Sequence, residues 1–438
     1  MRAKPTKNQG LVAEDGDLGK TSVMNPRSSA AFDVVVIGGG IIGSAVAYQI
    51  ARRSDMKVMV VDKADGPATG STGASVAISR CRYTVPEVVR LAYCSQLAYR
   101  SWGDFTGLDD PISDYTQFGA LWVFDRTQSE LETEYERLRS NGVSVEILSR
   151  AEVLKRWPEL DLCVEPIDFG DLEQHRCRQG SSFLFENEAG IADPAGANAD
   201  LVAAARMQGV EVMFGTGVVD VLAKRDRVIG VRLDSGEEIH SDLVVNAAGP
   251  WCNRINQMAG AQKRWTLTPT RIQLILREWS ASDSRLPITF DGSTDGCYRI
   301  ERSGSQILLV SPEIPEFMEP TSDPDHFEVN PDRNCVETTL AAFQHRAPGI
   351  KHAGTTTGLC GLYTINEQDS HPIVGPSEVE GLWLVNGFSG HGFKLAPGIG
   401  AMVARSITGN TAPFDPDTND DLFALDRVPL ATSGGVFA

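Results

Sequence analysis

Residues 32–37, with the sequence FDVVVI, run directly into the glycine-rich turn GGGIIG at positions 38–43. The first stretch is mainly apolar and β-branched, which is typical of a buried strand. Residues 44–53 have a helical composition, and residues 57–61 (KVMVV) form a second predicted strand that ends at Asp62. The pattern therefore predicts a β-α-β unit within about 30 residues.

The glycine spacing in this turn matches GxGxxG, the pattern of dinucleotide-binding folds. Gly38 permits a tight turn, Gly40 lets the backbone approach a pyrophosphate, and Gly43 lets the helix pack close to the strand. The N–H groups of Ile41 and Ile42 lie at the predicted helix N-terminus, where the helix dipole also favours phosphate. The turn therefore predicts a dinucleotide site.

Asp62 ends the second predicted strand, where its carboxylate can bind ribose hydroxyls. An acid at this position disfavours the 2′-phosphate of NADP, whereas FAD and NAD both remain possible. The loop GSTGAS at positions 70–75 is small and rich in hydroxyl groups. It can wrap the pyrophosphate and the inner part of a second mononucleotide.

Composition narrows the classes of protein further. The chain has 438 residues, 42% hydrophobic and 22% charged, with a formal net charge of −18. These values are typical of a globular protein of two or three domains, and the negative charge disfavours nucleic acid or anionic membranes as partners. No apolar run is long enough for a membrane span, and residues 1–30 lack the apolar core of a signal peptide.

The cysteines and histidines indicate compartment and metal chemistry. Eight cysteines are scattered without a CxxC pair, so we expect reduced thiols and a cytoplasmic protein. The seven histidines show neither HxxxH nor HExxH spacing, and the closeness of His175 to Cys177 is interpreted as coincidence. The sequence therefore predicts no metal site.

Two further segments carry strand-to-glycine transitions that belong with the first unit. A strand at Leu243–Asn246 runs into AAGP, and a strand at Leu382–Val385 runs into GFSGHG and a helix from about Pro397. We predict an α/β fold in which a Rossmann-like cofactor domain is interrupted twice by a mostly antiparallel β substrate domain. The predicted boundaries are 1–30 for a disordered tail, 31–110, 181–260 and 352–412 for the cofactor domain, 111–180 and 261–351 for the substrate domain, and 413–438 for a C-terminal tail.

Four stretches resemble one known family: FDVVVIGGGIIGSAVAYQIA, VVDKADGPATGSTGAS, VVNAAGPW and NGFSGHGFKLAPGIG, starting at positions 32, 60, 244 and 386. The family is that of FAD-dependent amine oxidoreductases related to D-amino-acid oxidase, and the sequence is most similar to its sarcosine oxidase and dimethylglycine dehydrogenase branch. The resemblance implies FAD as cofactor. It also implies oxidation of a secondary or tertiary, N-methyl or cyclic, amino acid. A hydride passes from the carbon next to nitrogen to the flavin N5, and the resulting imine hydrolyses.

The turn and the resemblance together assign a set of residues to FAD. They are Gly38, Gly40, Ile41, Ile42, Gly43, Asp62, Lys63, Ser71, Thr72, Ala74, Ser75, Val218, Ala248, Gly249, Trp251, Gly390, Gly392, Phe393 and Lys394.

The resemblance also implies a substrate site. Lys394 and Arg80 occupy the places of a lysine and an arginine that bind the substrate carboxylate in sarcosine oxidases. Tyr363 matches a tyrosine that lines the substrate side of the flavin. Arg299 falls at a pocket position, where it binds a further polar group of the substrate or is exposed to solvent.

Two departures from the family pattern affect the chemistry. The cysteine that tethers FAD in monomeric sarcosine oxidases is Gly361 here, and Cys360 is one position off, so we expect non-covalent FAD. The lysine that promotes reaction with oxygen aligns with Leu308, while the nearby cations are Arg299 and Arg302, the latter in a predicted turn. We therefore expect a dehydrogenase that passes electrons to an electron-transfer protein or a quinone rather than to oxygen.

Three alternatives remain open at this point. One is an oxidase or dehydrogenase of D-amino acids or glycine on the same fold. Another is a non-catalytic FAD-binding subunit of an electron-transfer complex. The third is an NAD-linked dehydrogenase, which the glycine turn alone does not exclude.

Overall fold

A computed structural model describes residues 31–431, apart from 280–285, 302–304, 311–314 and 352–353. The predicted N-terminal tail and the predicted turn at Arg302 lie outside the described residues. Within them the helices are α1 (Ile41–Arg53), α2 (Pro86–Arg100), α3 (Trp102–Thr106), α4 (Gln128–Ser140), α5 (Arg150–Arg156), α6 (Pro194–Met207), α7 (Cys252–Met258), α8 (Arg333–Arg346) and α9 (Gly392–Thr408).

The strands in the same part of the chain are β1 (Ala31–Ile37), β2 (Val58–Val61), β3 (Ile78–Ser79), β4 (Tyr115–Gln117), β5 (Ala120–Val123), β6 (Val145–Ser149), β7 (Ser182–Glu186), β8 (Gly190–Ala192), β9 (Glu211–Met213), β10 (Val218–Lys224), β11 (Arg227–Leu233), β12 (Glu238–Asn246), β13 (Leu267–Glu278), β14 (Ile288–Asp291), β15 (Gly296–Ile300), β16 (Gln306–Val310), β17 (Glu319–Pro320), β18 (Thr356–Asn366), β19 (Ile373–Pro376) and β20 (Leu382–Asn386).

The first sheet contains the predicted β-α-β unit. Its strand order is β10-β11-β12-β1-β2-β9, with β20 on β12 and β19 on β20, and β1 is parallel to both β2 and β12. Val34–Val36 are fully buried because α1 covers one face of the sheet and β1 has a parallel neighbour on each side. Burial on both faces explains why β1 reads as a continuous apolar run. Helix α1 begins at Ile41, three residues before the predicted start.

The second sheet has nine strands in the order β17-β13-β16-β15-β14-β5-β7-β6, with β18 on β13. It is largely antiparallel, and the pair β14–β5 is parallel. This combination of a mixed, mainly parallel sheet with a largely antiparallel one confirms the predicted fold class. Strands β7 and β18 lie in the second sheet, although the predicted boundaries put their segments in the cofactor domain. The division into domains stays a prediction.

The C-terminal segment 413–431 packs against the body of the protein. Phe423 is completely buried, and Arg427 forms an ion pair with the buried Asp369 at 2.8 Å. The indole N–H of Trp265 donates to the carbonyl of Leu425 at 2.8 Å. The sequence predicts a C-terminal tail over 413–438, whereas Phe423 and the ion pair of Arg427 with Asp369 fix residues 413–431 to the rest of the protein.

Helix α9 starts at Gly392, more than a turn before the predicted start at about Pro397. A proline inside a helix removes the hydrogen bond to the carbonyl four residues earlier, which is that of Phe393. Here the hydroxyl of Tyr99 donates to that carbonyl at 2.7 Å. The interior proline is tolerated because α2 supplies the missing donor.

Candidate active site

The glycine turn between β1 and α1 has the close contacts that its spacing predicts. Gly38 has φ +107°, and a Cβ built there would overlap the carbonyl of Ala247. A Cβ on Gly43 would overlap the carbonyl of Gly38. Each position therefore requires glycine, one for its backbone angle and one for the approach of α1 to the turn.

Asp62 and Thr72 hold this turn from two sides. One carboxylate oxygen of Asp62 accepts from the N–H of Gly39 at 2.6 Å, and the other accepts from Ala64. The hydroxyl of Thr72 accepts from the N–H of Ile41 at 3.0 Å, which leaves its own proton free to donate to an anion. The predicted loop 70–75 thus reaches the N-terminus of α1.

A cleft of about 660 Å³ opens above the carboxyl ends of β1, β2 and β12. Most of the residues that the sequence assigns to the cofactor line it: Gly38, Gly40, Ile41, Ile42, Asp62, Lys63, Ser71, Thr72, Ser75, Val218, Ala248, Gly249, Trp251, Gly390, Gly392 and Phe393. Three of the assigned residues are not among those lining it. Gly43 lies behind the turn, Ala74 lies against Gly361, and Lys394 is buried in the first turn of α9.

A carboxylate joins three side chains at the rim of the cleft. Asp325 pairs with Lys63, pairs with Arg254 at 2.5 Å, and accepts from the indole N–H of Trp251 at 2.8 Å. The ammonium of Lys63 also lies 4.0 Å from the centre of the Trp251 ring. Burial raises the pKa of Asp325, but hydrogen bonds from these three side chains outweigh it and hold the pKa below its ordinary value. The segment after β17 is thereby fastened to the rim.

Arg80 and Lys394 are buried cations placed by two distant elements. Arg80 follows β3 and is 1% exposed, and its guanidinium lies 4.7 Å from the ring centre of Tyr83. It donates to the carbonyl of Arg82, whereas its Nε has no hydrogen-bond partner among the described residues. Lys394 lies in the first turn of α9 and donates to the carbonyl of Gly390 at 3.2 Å.

The two cations act on each other. Burial, and then the charge of Arg80, hold the pKa of Lys394 well below its ordinary value. His391, next to α9, is also buried, and its Nδ1 lies 3.1 Å from the hydroxyl of Tyr83. Burial, followed by the charges of Lys394 and Arg80, lowers the pKa of His391 as well, so that its imidazole is neutral. Burial and neighbouring positive charge therefore both disfavour the protonated forms of Lys394 and His391.

Arg299 is buried and not exposed to solvent. Its Nε donates to the carbonyl of Val76 at 2.9 Å, and its guanidinium pairs with Glu301 at 3.0 Å. It borders a second cavity of about 510 Å³, whose other lining residues include Asp114, Thr116, Ile191, Asp193 and Glu301. Tyr363, in contrast, lines the cofactor cleft from β18. These two predicted site residues therefore line different cavities.

Cys297 on β15 lies among the cations. Burial raises the pKa of its thiol to about 12, although three positive charges counteract the rise. Those charges are Arg299, Arg80 and Lys394. Cys297 could not be selected as a site residue from the sequence, because a single cysteine on a strand forms no local motif.

Glu186 on β7 is a second residue that the sequence analysis missed. Its buried carboxylate accepts from the N–H of Cys81 at 2.7 Å, from the N–H of Arg82 at 3.2 Å and from the indole of Trp122 at 3.0 Å. Burial raises the pKa of Glu186, while these hydrogen bonds and Arg80 favour its ionised form. Glu186 thus fixes the backbone that immediately follows Arg80. An acid within the apolar strand SFLFE is the one local sign of this role.

A tight β-α turn that faces a cleft at the carboxyl ends of parallel strands defines a dinucleotide-binding oxidoreductase fold. Comparison with known proteins then gives the family. The family model for the DAO group, described as FAD dependent oxidoreductase, matches residues 33–406. The chain belongs to this family, and its cofactor is FAD. The residues fit that cofactor, since the turn has no room for Cβ atoms and Thr72 offers a hydroxyl beside the helix N-terminus.

Individual relatives are distant and cover most of the chain. Hydrogen cyanide synthase subunit HcnC of Pseudomonas aeruginosa is 25% identical over 88% of this chain and 94% of that protein. Mitochondrial sarcosine dehydrogenase of Mus musculus is 26% identical over 86% of this chain but 39% of that protein. The solved structure of L-proline dehydrogenase from P. horikoshii superposes with a TM-score of 0.74 at 23% identity, covering 89% of this chain and 98% of that one.

These matches confirm the family resemblance, including distant homology to sarcosine and dimethylglycine dehydrogenases. Among the described residues, none of the helices has the length and apolarity that a membrane span requires.

Proposed function

We propose that this protein oxidises a secondary or tertiary amino acid, N-methylated or cyclic, at the carbon next to nitrogen. The observation that carries the proposal is the pair of buried cations, Arg80 and Lys394, with the Nε of Arg80 unpartnered among the described residues. The relatedness to sarcosine and dimethylglycine dehydrogenases supports the class of amine.

Two buried like charges are costly unless an anion joins them. The lowered pKa of Lys394 is a sign of that cost, because burial and Arg80 both disfavour its protonated form. A substrate carboxylate bound between the two groups would offset both effects. Arg80 would supply directed hydrogen bonds and Lys394 a point charge. The predicted ligand is therefore an amino acid rather than a simple amine.

The remaining groups position the amine. Bound FAD supplies the two-electron acceptor for the C–H bond next to the nitrogen. With the carboxylate held by Arg80 and Lys394, the substrate carbon faces the cleft wall that contains Tyr363. The neutral ring of His391, held by the hydroxyl of Tyr83, adds no further charge to repel an ammonium. The amine reacts in its neutral form. Loss of a hydride equivalent to bound FAD leaves an iminium ion, which water hydrolyses to a carbonyl compound and an amine.

The proposed electron acceptor is an electron-transfer protein or a quinone. Leu308 is buried on β16, opposite Arg299 on β15, and its strand neighbours are apolar. Arg299 is paired with Glu301, which neutralises the cation nearest to Leu308 in this strand pair. Without a lysine at that position, the charge that would stabilise superoxide-like character is missing from the strand. We therefore favour a dehydrogenase over an oxidase.

The proposed compartment is the cytoplasm. All eight cysteines of the chain are free thiols in the structure. This state is usual in a reducing compartment.

FAD is proposed to be bound without a covalent link.

An anaerobic substrate panel tests the proposed reaction. The holoprotein is mixed with sarcosine, dimethylglycine, D-proline, D-alanine or glycine, and loss of the visible flavin absorption is followed. We expect the N-methyl and cyclic amino acids to bleach the flavin faster than the primary ones. Sarcosine methyl ester is the matched control, since it keeps the amine and removes the carboxylate charge. Faster bleaching by D-alanine or glycine, or by the ester, would contradict the proposal.

The choice of acceptor needs a separate measurement. The enzyme is reduced anaerobically with its best substrate and mixed with air-saturated buffer in a stopped-flow instrument. We expect reoxidation by oxygen to be slower than turnover with an artificial dye. Equal rates with stoichiometric peroxide would make the protein an oxidase.

A further inference from the structure

A cluster of cysteine and histidine side chains lies in the second sheet region, away from the cofactor cleft. One ligand atom each from Cys163, His175 and His345 lie within 4.8 Å of one another. The Sγ of Cys163 is 3.4 Å from the Nε2 of His175, and the two imidazole rings are 5.1 Å apart in an edge-on arrangement. Residues from three separate places in the chain therefore converge at one point.

A second triplet shares the same thiol. Ligand atoms of Asp161, Cys163 and Cys177 also lie within 4.8 Å of one another. The carboxylate of Asp161 already accepts from the N–H of Cys163 at 2.8 Å and from the amide of Gln179 at 2.9 Å. The exposed thiol of Cys177 accepts from the amide of Gln179 at 2.9 Å and donates to Asp161 at 3.7 Å. The two triplets share only Cys163, so Cys177 becomes a fourth ligand by rotation of its exposed side chain, while Asp161 orients the cysteines.

The buried side chain of Arg346 holds the backbone around the cluster in place. Arg346, which is fully buried and follows His345 at the end of α8, pairs with Asp291 and donates to the carbonyls of Asp161 (2.5 Å) and Cys163 (2.7 Å). The backbones of Cys163 and His345 are thereby fixed to each other. The Nε2 of His345 is buried without a hydrogen-bond partner among the described residues. A buried imidazole nitrogen of this kind requires a hydrogen-bond partner or a metal ion.

We propose that Cys163, His175 and His345, joined by Cys177 after rotation of its exposed side chain, form a structural zinc site. Two thiolates and two imidazoles are a preferred ligand set for Zn²⁺, with metal–sulfur and metal–nitrogen distances of about 2.3 and 2.0–2.1 Å. In a tetrahedron of those dimensions a sulfur and a nitrogen are about 3.5 Å apart, close to the separation of Cys163 and His175.

The zinc would tie the segment between Asp161 and Gln179 to the end of α8. None of the four ligands is among the residues that line the cofactor cleft, so the metal takes no part in the oxidation. Its role is to add one more tie to a segment that Arg346 and the backbone hydrogen bonds from Val164 to Arg178 and from Gly180 to Leu162 also hold. Metal binding of this type contributes to stability by mass action.

The test uses Co²⁺ as a spectroscopic probe and then Zn²⁺ alone. Full-length holoprotein is reduced, stripped with a chelator and titrated with Co²⁺ under anaerobic conditions. We expect one Co²⁺ per chain, with thiolate-to-metal charge-transfer bands and the d–d bands of a tetrahedral site, all displaced by one Zn²⁺. A titration without thiolate bands would overturn the proposal.

Matched variants locate the ligands. Cys163→Ser and His175→Gln should lower metal affinity by about tenfold or more, whereas Cys94→Ser and His326→Gln, which change the same residue types elsewhere, should leave it unchanged. If the first two variants do not fold, the exposed Cys177→Ser remains available, and it should remove about half of the thiolate band intensity. Full intensity in Cys177→Ser, or equal affinity of Cys163→Ser and Cys94→Ser, would contradict the assignment.

Discussion

The cofactor turn and the cation pair are built in opposite ways. The turn depends on backbone geometry at residues 38–43, where Gly43 is required by its contact with the carbonyl of Gly38 and Gly38 by its contact with the carbonyl of Ala247. The cation pair depends on side chains from β3 and from α9, and these are separated by more than 300 residues. The pattern of the turn is contained in a short stretch of sequence, whereas the cation pair exists only after segments that are distant in sequence have packed together.

This difference determines what a substitution does to each site. A new Cβ in the turn meets rigid backbone, so neither a rotamer change nor solvent can relieve it. A change of charge at Lys394 leaves the backbone intact and removes one electrostatic contact. We therefore expect the turn to fail through loss of flavin and fold, and the cation pair to fail through loss of turnover.

The largest expected effect is that of Gly43→Ala. Its Cβ would overlap the carbonyl of Gly38, and moving α1 away would withdraw the helix N-terminus from the phosphates. We expect the free energy of FAD binding to weaken by about 3 kcal/mol or more, which is equivalent to at least about 100-fold lower affinity for FAD. Flavin content after gel filtration and the thermal midpoint measure it.

Gly66→Ala is the control for this comparison. Gly66 also borders the cleft, but a Cβ built there meets nothing within 4 Å. It should retain flavin like the unmodified protein. Equal flavin loss in Gly43→Ala and Gly66→Ala would mean that the close contacts of the turn do not determine FAD retention.

The next effect is that of Lys394→Met on catalysis. Loss of one charged partner of a desolvated carboxylate costs about 2–5 kcal/mol, so kcat/KM should fall by about 30-fold or more. Flavin content should be unchanged, since Lys394 is not among the residues that line the cleft. Steady-state kinetics with the best substrate of the panel measure it. Lys155→Met, at an exposed position, is the control, and a fall of less than twofold for Lys394→Met would refute the carboxylate assignment.

The same contrast explains what the sequence could predict. The strand, the glycine turn and Asp62 follow one another within about 30 residues, so their arrangement is readable from local pattern alone. The positions of Arg80 and Lys394 came from family resemblance, because no local pattern places them together. Glu186 and Cys297 were missed, since each is a single residue on an apolar strand whose partners come from other strands.

Distance along the chain also bears on the predicted domain boundaries and on the proposed metal ligands. Strand β18 lies within the predicted cofactor domain, and eleven of its residues pair with β13 in the other sheet. Cys163 and His345 are far apart in sequence, so a search for short histidine and cysteine spacings could not join them. In both cases the deciding contact is one that only the folded chain creates.

A smaller effect concerns pH and the buried ring of His391. Burial, followed by Lys394 and Arg80, lowers its pKa in the folded protein, whereas the unfolded value is about 6.5. Between those two values the unfolded chain binds a proton that the folded chain does not. The contribution of His391 to the free energy of unfolding is therefore present above about pH 6.5. It is lost as pH falls below that value, by up to about 1.4 kcal/mol per pH unit.

The measurement is the free energy of unfolding in urea at about pH 7.5 and about pH 5.5. The unmodified protein should lose about 1.4 kcal/mol more than His391→Gln over this interval. The exposed His326 provides the control, and His326→Gln should keep the full pH dependence. An unchanged pH dependence in His391→Gln would show that this ring does not carry the effect.

The smallest expected effect is that of Cys360→Ser, which tests the register of β18 against the cleft. Gly361 faces the cofactor loop so closely that a Cβ there would lie 2.6 Å from the Cβ of Ala74. Cys360 is on the other face of the strand, where burial raises the pKa of its thiol and Arg271 lowers it. Neither position can therefore present a thiol to the flavin. Cys360→Ser should keep flavin content and kcat/KM within about twofold, and acid precipitation should release FAD into the supernatant in both proteins. Flavin that stays in the precipitate of the unmodified protein but not of the variant would show that the strand slips and that Cys360 is the tether.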